Sequence, residues 1–143
     1  MSRAEFERMT QRYLSAMNRH DAPALAALYA VDCRVDSPLF SSLHGRAAVE
    51  ASYRQFFAIF PDVAFNPETT VIDPPLAVVT TLNTATHEGE LFGLAPTHKR
   101  IEFRTVRVVT ANEEGLIVQE RRIYDFSGLL VQLGVLRARP AKA

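Results

Sequence analysis

Only one cysteine, Cys33, occurs in the 143 residues, so no disulfide can form within the chain, and with no base beside it in sequence it carries no nucleophile signature. Charge of one sign is equally scarce. Lys and Arg together number 16, as do Asp and Glu, which gives a formal net charge of zero, and no long basic block is present, so neither nucleic acid nor an anionic membrane is expected as a partner. No apolar run approaches the roughly 20 residues that a spanning helix needs. Met1-Ser2-Arg3-Ala4-Glu5 lacks the apolar stretch of a signal sequence, and the expectation is a soluble cytoplasmic protein. Gly-x-Ser-x-Gly, phosphate-loop and dinucleotide fingerprints are missing. The four histidines include no pair at metal-ligand spacing, so no metal site is expected.

What is present is enough for one domain of ordinary size, burying roughly 68–70% of its unfolded surface. Ser2-Arg3-Ala4-Glu5 has the form of a capping box, and Phe6, Met9, Tyr13 and Met17 then recur at helical spacing to about Asn18. Asp21 can cap a second, short helix with Pro23 in its first turn and Leu25, Leu28 and Tyr29 on one side. A short strand is expected over Cys33–Asp36, then a polar loop. Gly45-Arg46 leads into a third helix carrying Val49, Tyr53, Phe56 and Phe60 on one face and ending at Pro61. From there the period changes to two. Strands are expected over 63–72, 76–88, 99–110 and 116–125, the first placed at an edge or bulge because Asn66-Pro67 interrupts it, and the last two joined by a hairpin at Asn112–Gly115. Helices first and strands after give an α+β class with a strongly bent, mixed or antiparallel sheet that wraps the N-terminal helices and encloses a pocket. The tail after Leu136, Arg-Ala-Arg-Pro-Ala-Lys-Ala, is expected to fray.

The chain is organised around Glu120–Gly134. A strand ends there, breaks at Ser127-Gly128 and continues as a short apolar helix, which delivers the carboxylate of Asp125 to the junction of two elements. Asp125 has two readings: a carboxylate facing a cavity, or a cap on the last helix, which would lower its pKa. His87 shares a strand face with Ala77, Val79 and Ala85, and is either a core histidine bonded to backbone or a pocket residue. Arg121 and Arg122 point to opposite faces of the last strand; Arg121, on the face of Asp125, is positioned to pair with it. Tyr13, Tyr29, Tyr53, Phe56, Phe57 and Phe60 form an aromatic set that is mainly core, part of which must line any cavity.

Two stretches, Thr86-His87-Glu88-Gly89-Glu90-Leu91-Phe92-Gly93-Leu94-Ala95-Pro96-Thr97 with Lys99-Arg100-Ile101, and Tyr124-Asp125-Phe126-Ser127-Gly128-Leu129-Leu130 with Gln132-Leu133-Gly134, resemble the SnoaL-like polyketide cyclases. These cyclases lie within the nuclear transport factor 2-like superfamily of cone-shaped α+β domains. His20-Asp21, Leu28-Tyr29-Ala30 and Gly45-Arg46 agree with the same resemblance, which covers nearly the whole chain. It implies an aspartate at Asp125 acting as general acid/base in an aldol ring closure without metal or cofactor, with His87 in the same pocket. Tyr13, Tyr29, Tyr53, Phe57, Arg121 and Tyr124 are expected as the pocket walls. The pair Phe126-Ser127 departs from the family, where a Gln-Leu type pair is commoner. The functional expectation is cofactor-independent acid/base chemistry next to a carbonyl: aldol cyclisation, isomerisation or dehydration. The alternative is a non-catalytic small-molecule binding or dimerisation domain of the same fold. An epoxide hydrolase would need an Asp-Arg-Asp arrangement, for which Arg121, Asp125 and Asp36 supply only the residue types. A homodimer through the sheet is expected as the assembly.

Overall fold

Ser2 fixes where the first helix begins: its hydroxyl accepts from the Glu5 backbone N–H at 3.1 Å while its own N–H donates to the Glu5 carboxylate at 2.6 Å, the reciprocal box that starts helix α1 (Arg3–Asn18). The computed structural model describes residues 1–137; the expected fraying of the tail falls, from Ala138 on, outside the described residues. α1 buries Phe6, Met9, Tyr13 and Met17, the stripe its spacing predicts.

Helix α2 (Ala22–Ala26) is capped by Asp21, whose side chain accepts from Ala24 N. It is shorter than the sequence suggests. Tyr29 does not extend it but opens strand β1 (Tyr29–Ser37), pairing with Ile117. A register shift between Tyr29 and Arg34 breaks the alternation, so the strand is legible in sequence only over Cys33–Asp36. β2 (Ser41–His44) was expected as loop, because its four residues are polar or only partly buried and give no period. Ser37 shapes the turn between these strands: its hydroxyl accepts from the N–H groups of Leu39 and Phe40 at 3.2 Å.

Gly45, at φ +90°, opens helix α3 (Arg46–Ile59) in a region that side chains disfavour. β3 (Ala64–Asp73), β4 (Leu76–Thr86), β5 (Arg100–Ala111) and β6 (Ile117–Ile123) follow as an antiparallel meander, and α4 (Phe126–Gln132) closes the chain. The sheet order is β2-β1-β6-β5-β4-β3, with β1 parallel to β6. β3 is therefore an edge strand, and its register slips between Pro67 and Thr69, where the missing proline donor demands it. Asn18 covers part of that edge by exchanging two hydrogen bonds with the Phe65 backbone.

The result is an α+β, cone-like domain with an open six-stranded sheet. Its inner face carries the buried side chains of Ala77, Val79 and Ala85 of β4 and Ile101, Phe103 and Val109 of β5, and packs with α1 and α3. The loop after β4 docks on the end of α3, where the N–H groups of Glu88 and Gly89 both donate to Ile59 O at 3.0 Å. A Cβ added at Gly89 would overlap the Ala58 carbonyl oxygen and lie 2.9 Å from both Ala58 C and Ile59 Cα. These are backbone atoms and cannot rotate aside. Gly89→Ala is therefore expected to destabilise the fold by about 1–3 kcal/mol, as other forced overpacking does; a urea midpoint equal to wild type would contradict the close approach.

Candidate functional site

Three charged residues meet on the inner sheet face: Arg107 from β5 and Glu120 from β6, both buried, and Arg122 from β6, whose side chain is 10% exposed. Alternation along β5 puts Arg107 beside Phe103 and Val109. On β6 the register slips between Thr110↔Gln119 and Ala111↔Ile117, so Ile117 and Glu120, three residues apart, are both fully buried. That one-residue bulge turns Arg122 inward and leaves Arg121 exposed on the outer face. The sequence expectation that Arg121 lines the pocket and pairs with Asp125 is thus corrected: no ion pair joins them among the described residues, and Arg122 is the inward cation.

Glu120 Oε1 accepts from Arg107 Nε at 2.7 Å and pairs with its Nη2 at 2.6 Å, while Oε2 accepts from Arg122 Nε at 2.7 Å. Tyr29 Oη donates to the same carboxylate at 2.9 Å. Because the single Tyr29 proton is committed there, Tyr53 must donate to Tyr29 and Tyr13 to Tyr53, each at 2.8 Å. Arg122 Nη2 also donates to Tyr53 Oη at 2.8 Å. The hydroxyl chain therefore has one direction, from Tyr13 through Tyr53 and Tyr29 to Glu120, and Arg107 lies 3.3 Å from the centre of the Tyr13 ring in a cation–π contact. Burial would raise the pKa of Glu120, but Arg107 and Arg122 beside it outweigh that and lower it to about 2. Burial pushes the phenols of Tyr29 and Tyr53 up, so both stay neutral. Two guanidiniums thus face one carboxylate.

A cavity of about 40 Å³ lies against this cluster. Arg107, Arg122, Thr105, Tyr13 and Tyr53 supply its polar side; Met17, Phe40, Phe56, Phe65 and Tyr124 supply the rest. Phe40, Phe56 and Tyr124 are half-buried and mark its solvent side. Phe40 is held there by its turn, whose Leu39 N–H donates to Tyr124 Oη at 3.1 Å, and by the edge of Phe92, 5.8 Å away between ring centres. As it stands the cavity of about 40 Å³ has room for about three or four waters at about 10–15 Å³ each. An organic ligand needs Phe40 or its neighbours to move outward.

The remaining expected site residues are distributed as follows. Tyr13, Tyr53 and Tyr124 line the cavity. Tyr29 is wholly buried one hydrogen bond behind Tyr53. Phe57, expected in the pocket, instead stacks on Tyr53 and borders a surface hollow beside His20. His87 is fully buried, and its Nδ1 accepts from Thr97 N at 3.1 Å, which puts the ring proton on Nε2. That atom has no partner among the described residues, and His87 is not part of the cavity lining. Asp125 is exposed and caps α4: Oδ1 accepts from Gly128 N and from Ser127 Oγ, each at 2.9 Å. These bonds, the backbone one foremost, hold its pKa below the usual aspartate value. Oδ2 makes no hydrogen bond to a described residue. Asp36 is a register partner of Arg121 but pairs with Arg34 at 3.5 Å, so no Asp-Arg-Asp triad forms. Cys33 is buried, and burial raises its thiol pKa. Among the described residues no cluster of three His, Cys, Asp or Glu side chains is placed to hold a metal ion, and no helix is long and apolar enough to cross a membrane.

The sequence profile of the SnoaL-like polyketide cyclases matches residues 7–133. Solved structures resemble most of the chain. AclR from Streptomyces galilaeus, a candidate hydroxylase, is 24% identical over 97% of this chain and 91% of its own, with a TM-score of 0.84. TsrD from Streptomyces laurentii is 21% identical over 95% and 99%, with a TM-score of 0.83. IdmH from Streptomyces antibioticus, a candidate polyketide cyclase, is 23% identical over 91% and 99%, with a TM-score of 0.76. At these identities the likeness concerns the fold. Among proteins of curated description, none matches the sequence.

Proposed function

Since the chain belongs to the SnoaL-like polyketide cyclase family, we propose that it takes a small, largely apolar carbonyl compound into the cone and catalyses proton transfer next to that carbonyl without a cofactor. The observation that carries this reading is the divided cavity wall, with aromatic and thioether surface on one side and guanidinium and phenol groups on the other. Apolar surface binds a carbon skeleton, and a few fixed polar groups orient it. Glu120 is not the base: it is ionised, but both oxygens are occupied by arginine and tyrosine donors. Asp125 follows Tyr124 directly, and the cap ties down Oδ1 while Oδ2 stays free. The role proposed for it is that of a base whose pKa the cap holds below the usual aspartate value, with the cap as its orienting support. His87 is assigned a supporting place, fixing the loop after β4 through Thr97.

A non-catalytic binding domain is the second reading, and the exposure of Asp125 favours it. The two separate in a deuterium-exchange experiment. A cyclic 1,3-diketone in D₂O, followed by proton NMR with and without the protein, is expected to lose its acidic C–H signal faster than the buffer rate in the catalytic case. Binding of the diketone with exchange at the buffer rate would leave the binding reading standing and end the catalytic one.

For assembly the proposal is a homodimer through the outer sheet face. The register sets Val71 beside Val78 and Val78 beside Val108, with Val106 paired to Ile123 on the same surface. Val71 and Ile123 are 57% and 48% exposed, so this face carries an apolar patch, bordered by Arg121 beside Val108, of the kind that self-association covers. Light scattering at micromolar concentration is expected to give twice the 16.0 kDa chain mass; a monomer mass alone would refute the dimer.

A further inference from the structure

We propose that Arg107 and Arg122 form a carboxylate anchor inside the cone, so that the molecule it receives is a small aromatic or unsaturated monocarboxylic acid. The inference rests on the pocket reading above and names the class of its ligand. It starts from a charge count. The cavity wall holds two guanidiniums and their one buried counter-ion, Glu120, with neutral phenols around them. One positive charge is left over in a place where the side-chain exposures of the three groups are 5%, 10% and 0%. An uncompensated charge removed from water is costly, and an anion placed beside it relieves that cost.

The geometry leaves donors free to take such an anion. Arg107 commits Nε and Nη2 to Glu120; Arg122 commits Nε to Glu120 and Nη2 to Tyr53. The Nη1 groups of both donate to none of the described residues, yet neither is among the buried atoms without a partner, so both keep accessible surface, and both side chains line the cavity. Carboxylate suits paired guanidinium edges better than a neutral carbonyl does, because charge-assisted bonds are roughly twice as strong. The Phe40, Phe56, Phe65 and Tyr124 walls set the body of the acid as flat and unsaturated. The acid group would lie at the cluster, and the body of the acid toward the half-buried side formed by Phe40, Phe56 and Tyr124.

The test uses the full chain in chloride-poor buffer and three probes, benzoate, benzamide and acetophenone, by titration calorimetry. Benzoate is expected to bind at least 10-fold more tightly than isosteric benzamide, and Arg122→Met to weaken benzoate about 10- to 100-fold, the usual worth of a bond to a charged group, and acetophenone by a clearly smaller factor, because a neutral ketone oxygen loses a weaker bond. Arg122→Lys, which keeps the charge, is expected to recover part of the loss and guards against a folding artefact. Equal binding of benzoate and benzamide would overturn the anchor and leave the pocket reading intact, as would binding of acetophenone alone. No binding of any probe would overturn both. If chloride or nitrate raises the melting temperature and benzoate adds nothing beyond it, the excess charge holds an inorganic ion and the anchor is refuted.

Discussion

Glu120→Gln is expected to lose about 3–5 kcal/mol of stability at neutral pH, the cost of leaving a buried charge without its partner. The substitution keeps shape and removes the one negative charge that faces Arg107 and Arg122 in a fully buried position. For a domain of this size the melting temperature should fall by roughly 10 °C or more. Arg122→Met should cost less, since it leaves a balanced Arg107–Glu120 pair. The same group gives the wild type an acid limb. The folded-state pKa of Glu120 is lowered from 4.5 to about 2, so its contribution is present above about pH 4.5 and drains away as pH falls toward 2. By linkage that is worth about 3 kcal/mol. Chemical denaturation at a series of pH values should show this slope in wild type and not in Glu120→Gln; a variant within 1 kcal/mol of wild type would show that the cluster is not held as described.

The second large effect concerns rate. With Asp125 as base, Asp125→Asn should slow exchange of the diketone proton about 10²- to 10⁴-fold, the usual worth of general acid/base catalysis. Ligand affinity and unfolding midpoint should hardly change, because Asn caps a helix as well as Asp does. The cap hydrogen bonds keep the carboxylate ionised, so the wild-type rate should stay level as pH falls from neutral to about 4, where an ordinary aspartate begins to take up protons. A full exchange rate in Asp125→Asn would remove that residue from the chemistry and leave only its cap.

The sequence disclosed local rules and hid register. The capping box at Ser2, the stripe on α1 and the edge position of Asn66-Pro67 followed from spacing and proline chemistry, and each is where the chain puts it. Asp125 was legible as a cap for the same reason: Gly128 stands three residues on. Glu120 was not legible. Counting by two from Ile117 selects Gln119, Arg121 and Ile123, and only the bulge opposite Thr110 and Ala111 shifts the inward set to Glu120, Arg122 and Tyr124. Bulges depend on pairing with a neighbouring strand, which composition does not encode. The parallel pairing of β1 with β6 is hidden likewise, since Tyr29 and Ile117 are far apart in sequence. A fair signal for the site did exist on β5, where Arg107 alternates with Phe103, Thr105 and Val109 on the core-facing side. A charged residue on a buried face needs a partner, and that need points across the sheet to Glu120.

The central claim is that the interior of the cone, and not an outer surface, is where a small molecule binds. Crystals soaked with 4′-bromoacetophenone, a neutral ketone, test it directly through the anomalous signal of bromine. The account predicts one bromine peak inside the cone, with Phe40 displaced from its contact with Phe92 and the ketone oxygen turned toward Arg122 and Tyr53. A peak confined to the surface hollow beside Phe57 or to the outer sheet face, with the interior unchanged, would contradict it.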